Sequence, residues 1–257
     1  MTRIGALIFG VGGLHRLPLR TQRLRLLRQA LDVGFRNFDV APSYGNGLNE
    51  VELGRALTGY RFECQVTTKF GIPVDLYGDR FPSLFFLIRG IRKLTDRHYG
   101  SEYKRRVFTG GEMVRSLEGS LKRLKRDYID DFMIHEPLCP LTKGEVSDLH
   151  DKANRLKEQG KILRWGVAGP AESLAQFAGD PMVDVIQFPL EDLTKVPLVQ
   201  SQRRIAYGVY RSYLASRFGQ NKNFTTFVRN RLNHDFLDLI VATTASTTLA
   251  SFREFFS

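Results

Sequence analysis

NFDVAPSYGNGLNEVELGRAL, residues Asn37–Leu57, begins as a strand and ends as a helix. An apolar run from Phe35 to Val40 carries one acid, Asp39, near its end and breaks at Pro42. Tyr44 then sits between Ser43 and Gly45, and a helical pattern starts near Asn49, with Val51, Leu53 and Leu57 on one face. A lone carboxylate at the end of a buried strand is strongly unfavourable unless paired. Asp39 therefore calls for a cation from elsewhere in the chain.

Outward from this unit the same alternation repeats. Strands are expected at Gly5–Val11, Asn37–Ala41, Cys64–Phe70, Tyr128–His135, Ile162–Ala168, Val183–Phe188, Arg204–Tyr210 and Leu237–Ala242. Helical patterns lie between them: Thr21–Val33 (Leu24, Leu27 and Leu31 inward, arginines outward, Gly34 as cap), Asn49–Leu57, Gly110–Arg126 and Glu145–Gln159. Shorter ones follow at Ala171–Phe177, Asn223–Leu232 and Thr247–Phe255. Continuous apolar strands alternating with helices predict a parallel sheet buried on both faces. An eightfold alternation in 257 residues is the size of a (β/α)8 TIM barrel, read as a single domain over residues 1–257. A doubly wound sheet is the alternative. It is weakened because Gly10-Val11-Gly12-Gly13-Leu14-His15 fails GxGxxG at its last position.

Composition narrows the function classes. Hydrophobic content of 42% and charged content of 25% are ordinary for a soluble globular chain. Cys64 and Cys139 show no CxxC and no ligand spacing to histidine, so reduced thiols, no metal site and a cytoplasmic setting are expected. The first residues lack a signal-peptide layout, and no apolar run is long enough for a transmembrane segment. The net charge is +11, and +6 of it lies between Arg80 and Arg106, where eight Lys/Arg oppose Asp96 and Glu102. This cluster falls within residues 71–109, a 39-residue connection far longer than usual. Phe81–Leu94 within it is apolar then basic and suggests a short helix: a lid, or a surface that docks on a membrane or partner. A solvated basic face explains the charge as well.

In a barrel the C-terminal strand ends share one mouth. Strand two ends with Asp39, followed by Tyr44; strand three ends with Lys69; strand four ends with His135. Lys69 is the cation Asp39 requires. A neighbouring ammonium is expected to lower the Tyr44 pKa toward neutrality, making the phenol a proton donor or acceptor at a carbonyl oxygen that His135 polarises. Proton donation becomes reduction when a hydride donor lies beside the carbonyl carbon. Taken singly, each side chain has an ordinary structural explanation, as packing, cap or solvated charge; at successive strand ends the four fit an active site better.

The motifs GFRNFDVAPSYGNGLNEVELGRAL, VTTKFG, SLEGSLKRLKRDYIDDFMIHEP and GKILRWGVAG together resemble the aldo-keto reductases, from residue 3 onward. The resemblance implies a barrel using a nicotinamide cofactor, NADPH with NADH as the other candidate, and a catalytic tetrad at Asp39, Tyr44, Lys69 and His135 with Tyr44 as general acid. It also implies that Gln187 holds the nicotinamide carboxamide, that Tyr207 (or Tyr210) stacks on the ring, and that Ser246 and Thr247 belong to a phosphate-binding turn. Several positions depart from the family pattern: Leu7-Ile8 for Gly-Thr, Ala168-Gly169 for Ser-Asn, and Thr248 and Phe252 for a basic residue and an asparagine. No basic anchor for a 2′-phosphate is evident, Arg253 being off register. Arg89 or Arg92 are candidates to hold phosphate instead.

Two function classes follow. One is an NAD(P)H-dependent reductase of a small-molecule carbonyl substrate, such as a sugar or a phosphorylated aldehyde or ketone. The other is a reductase-fold protein that does non-redox acid–base chemistry or only binds. Nucleic acid is disfavoured as a partner, because no nucleic-acid motif surrounds the basic cluster despite its aromatics. The resemblance favours a monomer.

Overall fold

The computed structural model describes residues 5–75, 80–88, 90, 106–197, 199, 201–216, 223–234 and 237–256. Arg89, Arg92 and most of the basic cluster lie outside the described residues. Eight parallel strands close into a barrel in sequence order. They are β1 (Leu7–Gly10), β2 (Asn37–Asp39), β3 (Gln65–Phe70), β4 (Ile129–His135), β5 (Ile162–Ala168), β6 (Val185–Pro189), β7 (Arg203–Tyr207) and β8 (Asp238–Val241). Leu7, Ile8 and Phe9 of β1 pair with Leu239, Ile240 and Val241 of β8, which closes the ring.

The two-residue period of the strands sorts side chains between lumen and helix layer. Ile8, Met133, Val185, Ile205 and Ile240 form one small buried cluster, the waist of the lumen. Asp131, Arg203 and Asp238, two residues back from Met133, Ile205 and Ile240, join Thr67 in a polar floor. Asp131 Oδ2 accepts from Arg203 Nη1 at 2.7 Å and from Thr67 Oγ1 at 3.0 Å, and Arg203 Nε also reaches Asp238. Residues two positions forward of the waist, Gly10, His135, Gln187 and Tyr207, face the opposite mouth. Gly166 shows how tightly the lumen is filled, because a Cβ there would lie 2.3 Å from Val185 O. The alternate positions, among them Phe9, Phe38, Phe70, Phe132, Trp165 and Phe188, belong to the large cluster under the helices.

Around the strands run α1 (Arg20–Val33), α2 (Leu48–Ala56), α3 (Gly110–Leu124), α4 (Lys143–Glu158), α5 (Ala171–Leu174), α6 (Val209–Ser216), α7 (Phe224–His234) and α8 (Ser246–Ala250). Thr109 caps α3 by accepting from Glu112 N, and Thr142 forms a capping box with Glu145 on α4. Gly34 ends α1 at φ 124°, open without strain only to glycine.

Four sequence expectations need correction. Leu26, not Leu24, joins Leu27 and Leu31 in the core of α1. Arg23 points inward rather than out, its guanidinium bonded to Leu17 O, Pro18 O and the buried Glu52; a pairing acid on α2 makes that burial tolerable. The seventh strand stops at Tyr207, and Tyr210 lies in α6, a helix the sequence reading missed. Gly208, at φ 73°, makes the break. The last helix is α8 followed by a 3-10 turn at Ser251–Phe255.

The ends of the long connection are pinned together, Val107 N donating to Gly71 O at 2.8 Å. Its described middle holds a 3-10 turn at Pro82–Leu84 and helical residues 85–88. Phe85 packs edge-on to His15 and Phe86 lies 5.1 Å from the Arg23 guanidinium, beside the start of α1. Among the described residues no helix is long and apolar enough to cross a membrane.

Candidate active site

The loop after β2 is folded by its own backbone. Tyr44 N donates to Ala41 O and Gly47 N to Pro42 O, while Gly45, Asn46 and Gly47 all take positive φ. Two of the three being glycine, the turn forms with little strain. Asn46 bonds Asp75 in the connection after β3, and Asn49 Nδ2 donates to Val11 O at 2.7 Å in the loop after β1. Tyr44 is thereby held from three sides.

Lys69 Nζ donates to Asp39 Oδ2 at 2.7 Å and to Val40 O at 3.2 Å, with the ammonium side chain 1% exposed. The cation that Asp39 called for is there. Gln187 Nε2 donates to the same carboxylate oxygen at 2.8 Å. The ammonium also lies 5.4 Å from the centre of the Tyr44 ring, and the Tyr44 and His135 rings meet edge to face at 5.7 Å. So the structure brings together Asp39, Tyr44, Lys69, His135 and Gln187 from five segments. Asp39, Tyr44, His135, Gln187 and Tyr207 line one cavity of ≈ 280 Å³ at the C-terminal mouth.

The electrostatics reverse one expectation. Burial, with Asp39 and Glu136 adding to it, pushes the Tyr44 phenol well above its ordinary value. The Lys69 charge does not pull it down to neutrality because Asp39 neutralises that charge at contact distance. Tyr44 is therefore a protonated group at all moderate pH, a donor rather than an acceptor. Burial, and then the charges of Lys69 and Arg106, hold His135 well below the usual imidazole range, so it is neutral. Tyr207 is likewise raised, first by burial and then by Glu136.

The His135 shift sets a stability expectation. Below the unfolded value of about 6.5, unfolded chains take up a proton that the folded chain refuses. Stability from this group is present above that value and is lost as the pH falls from there toward the depressed folded value. Urea unfolding at about pH 7 and pH 5 should show a smaller acid loss for His135→Gln than for the wild type. Equal losses would show that the imidazole is freely protonated in the fold.

Ser246 and Thr247 are not in the cavity. Both are exposed, and Ser246 Oγ donates to Gln29 Oε1 of α1 at 2.8 Å. Nearer the mouth lies a second cavity of ≈ 460 Å³, lined by Thr243, Thr244, Ala245, Thr248 and Arg16, which shares Gly10, Tyr210 and Ala242 with the first. Leu7 and Ile8 are buried in the strand below the mouth, where Gly10 and Gly12 line the site instead. Phe252 is a core residue, packed edge-on against Phe35 and Phe224. Ala168 and Gly169 do line the cavity and offer it no side-chain donor. Sequence reasoning missed Glu136, Arg211 and Arg16. Glu136 stood beside His135 in IHEP, but its reach into the cavity depends on a backbone angle that residue types do not reveal.

Residues 6–202 match the family model described as the Aldo/keto reductase family. The chain is 35% identical over 179 residues to a D-threo-aldose 1-dehydrogenase from a Pseudomonas species, covering 68% of this chain and 53% of that one. It is 31% identical over 157 residues to the NADH-specific methylglyoxal reductase of Escherichia coli K12, covering 60% and 43%. The chain thus spans about half the length of these relatives. Among solved structures, an aldo-keto reductase from Bacillus halodurans in its holo form matches with a TM-score of 0.74 at 18% identity, over 96% of this chain and 85% of that one. One from Klebsiella pneumoniae in complex with NADPH matches at 0.67 and 17%, over 97% and 84%. At those identities the structural likeness speaks for the fold.

Proposed function

The chain belongs to the aldo/keto reductase family, and from that premise we propose that it reduces a small aldehyde or ketone with a nicotinamide cofactor, Tyr44 giving the proton. The observation that carries this is the edge-to-face Tyr44–His135 pair at 5.7 Å, set over a buried Lys69–Asp39 ion pair on the floor of a cavity. Tyr44 keeps its proton until a carbonyl oxygen arrives. Neutral His135 donates an N–H to the same oxygen and polarises the carbonyl. As the phenol gives up its proton, the Lys69 ammonium near its ring stabilises the phenolate, and Asp39 keeps that ammonium in place. A nicotinamide held in this cavity by Gln187 and Tyr207 would supply the hydride to the carbonyl carbon.

The residues present suit such a cofactor. Gln187 spends its Nε2 on Asp39, which leaves Oε1 to accept from a carboxamide N–H. Tyr207 offers a ring along the same cavity. The adjoining cavity offers the hydroxyls of Thr243, Thr244 and Thr248 and, as its one lining cation among the described residues, Arg16. That donor set matches phosphates. The names of the relatives, an aldose dehydrogenase and a methylglyoxal reductase, support a small oxygen-rich substrate.

Titrating the protein with NADPH and following nicotinamide fluorescence tests the reading. Saturable binding is expected; absence of binding by NADPH and NADH at millimolar concentration would leave only acid–base chemistry without hydride transfer. Arg16→Gln should raise the Kd for NADPH about tenfold, the effect of losing one charge-assisted contact, with the melting temperature unchanged. An unaltered Kd would remove Arg16 from the cofactor site.

A further inference from the structure

Among the described residues Glu136 is the one acid lining the active-site cavity that the tetrad does not use. It follows His135 directly and is held at φ 50°, a left-handed backbone conformation that is unfavourable for a non-glycine residue. Its N–H donates to Ala168 O at 2.6 Å, and Pro137 follows it, so the chain is fixed on both sides of the strained residue. Arg106 Nη2 donates to Glu136 Oε2 at 3.0 Å, pinning the carboxylate from the outer side. Among the described residues Oε1 has no protein partner, and the side chain stays 39% exposed. A half-exposed ion pair adds little stability and does not account for a strained backbone. Glu136 lines the cavity with Tyr44, His135 and Tyr207, and its charge acts on both phenols.

We propose, building on the reductase reading above, that Glu136 selects the substrate, its Oε1 accepting a hydrogen bond from a hydroxyl near the carbonyl and its charge repelling phosphorylated or carboxylated compounds. The chemistry is one-sided. A carboxylate without a proton accepts from hydroxyls and faces like charge at a phosphate. Arg106 donates to Glu136, while Arg211, on the cavity wall, is an exposed side chain 3.8 Å from Glu191. A cavity of ≈ 280 Å³ fits a carbonyl compound of a few carbons. The substrate class is therefore an uncharged hydroxy-aldehyde or hydroxy-ketone, of the kind open-chain sugars present.

The test compares kcat/KM for glyceraldehyde, propanal and glyceraldehyde 3-phosphate in the wild type, Glu136→Ala and Glu136→Gln. The wild type should prefer glyceraldehyde to propanal, and that preference should fall about tenfold in Glu136→Ala, chiefly through KM. Glu136→Gln keeps an acceptor without the charge and should fall between them. In both variants the phosphorylated compound should gain relative to glyceraldehyde. A preference ratio unmoved by either substitution overturns the proposal, as does a wild type that favours the phosphate. If the wild type reduces none of the three, the reductase reading fails separately, and calorimetric titration with xylitol still reads the site. Heat lost in Glu136→Ala supports the carboxylate's role; equal heats, or none in either protein, overturn it.

Discussion

Replacing Tyr44 by phenylalanine is expected to lower kcat for carbonyl reduction by roughly 10²–10⁴-fold, the contribution of a positioned general acid, while the Kd for NADPH changes little. The substitution keeps what the ring does for the fold. Its edge-to-face contact with His135 and the Lys69 ammonium over its face both survive in phenylalanine. Among the described residues the hydroxyl makes no hydrogen bond, so removing it leaves no partner stranded. The loss should therefore appear in kcat without a fall in melting temperature. Because the phenol is held well above its ordinary value, wild-type reduction should stay active through neutral and mildly alkaline pH, where the proton remains available. A variant as active as the wild type would transfer the acid role to another group.

Lys69→Met should be damaging in a different way. The substitution removes the cation from a pair 2.7 Å apart in which neither side chain is more than 7% exposed. Asp39 would be left as a buried carboxylate with, among the described residues, the Gln187 amide as its one partner. Breaking such a pair from one side costs about 3–5 kcal/mol, which in a chain of this size lowers the melting temperature on the order of 10 °C. Activity should vanish as well, because Tyr44 would lose the charge that stabilises its phenolate. Adding Asp39→Asn to Lys69→Met should recover much of the stability and none of the activity. That split separates the structural work of the pair from its catalytic work. A single variant that melts like the wild type would show that water already reaches the carboxylate.

The barrel was legible because its strands are short apolar runs bounded by glycine and proline at regular intervals, and Asp39, Lys69 and His135 could be placed because strand ends share a mouth. What could not be read is what depends on backbone angles. Gly208 turns the chain at φ 73° and makes Tyr210 helical, although Arg204–Tyr210 reads as a continuous strand. Glu136 reaches the cavity through a left-handed turn that glutamate rarely adopts. The direction of the Tyr44 shift was also hidden, since it depends on how closely Asp39 cancels Lys69. Arg23 reads as an exposed arginine in the sequence, but Glu52 of the next helix pairs with it in the interior. At the last helix, resemblance pointed to Ser246 and Thr247, while the cavity is lined by Thr243, Thr244 and Thr248.

Hydride transfer itself is the central claim, and one measurement meets it directly. Incubating the protein with NADPH carrying deuterium on the transferable C4 position and with glyceraldehyde should yield glycerol bearing deuterium on the former carbonyl carbon. The label should appear with wild-type protein and be nearly absent with Tyr44→Phe. Unconverted aldehyde beside intact NADPH, with folded wild-type protein at high concentration, would contradict the account and leave the tetrad without a redox role.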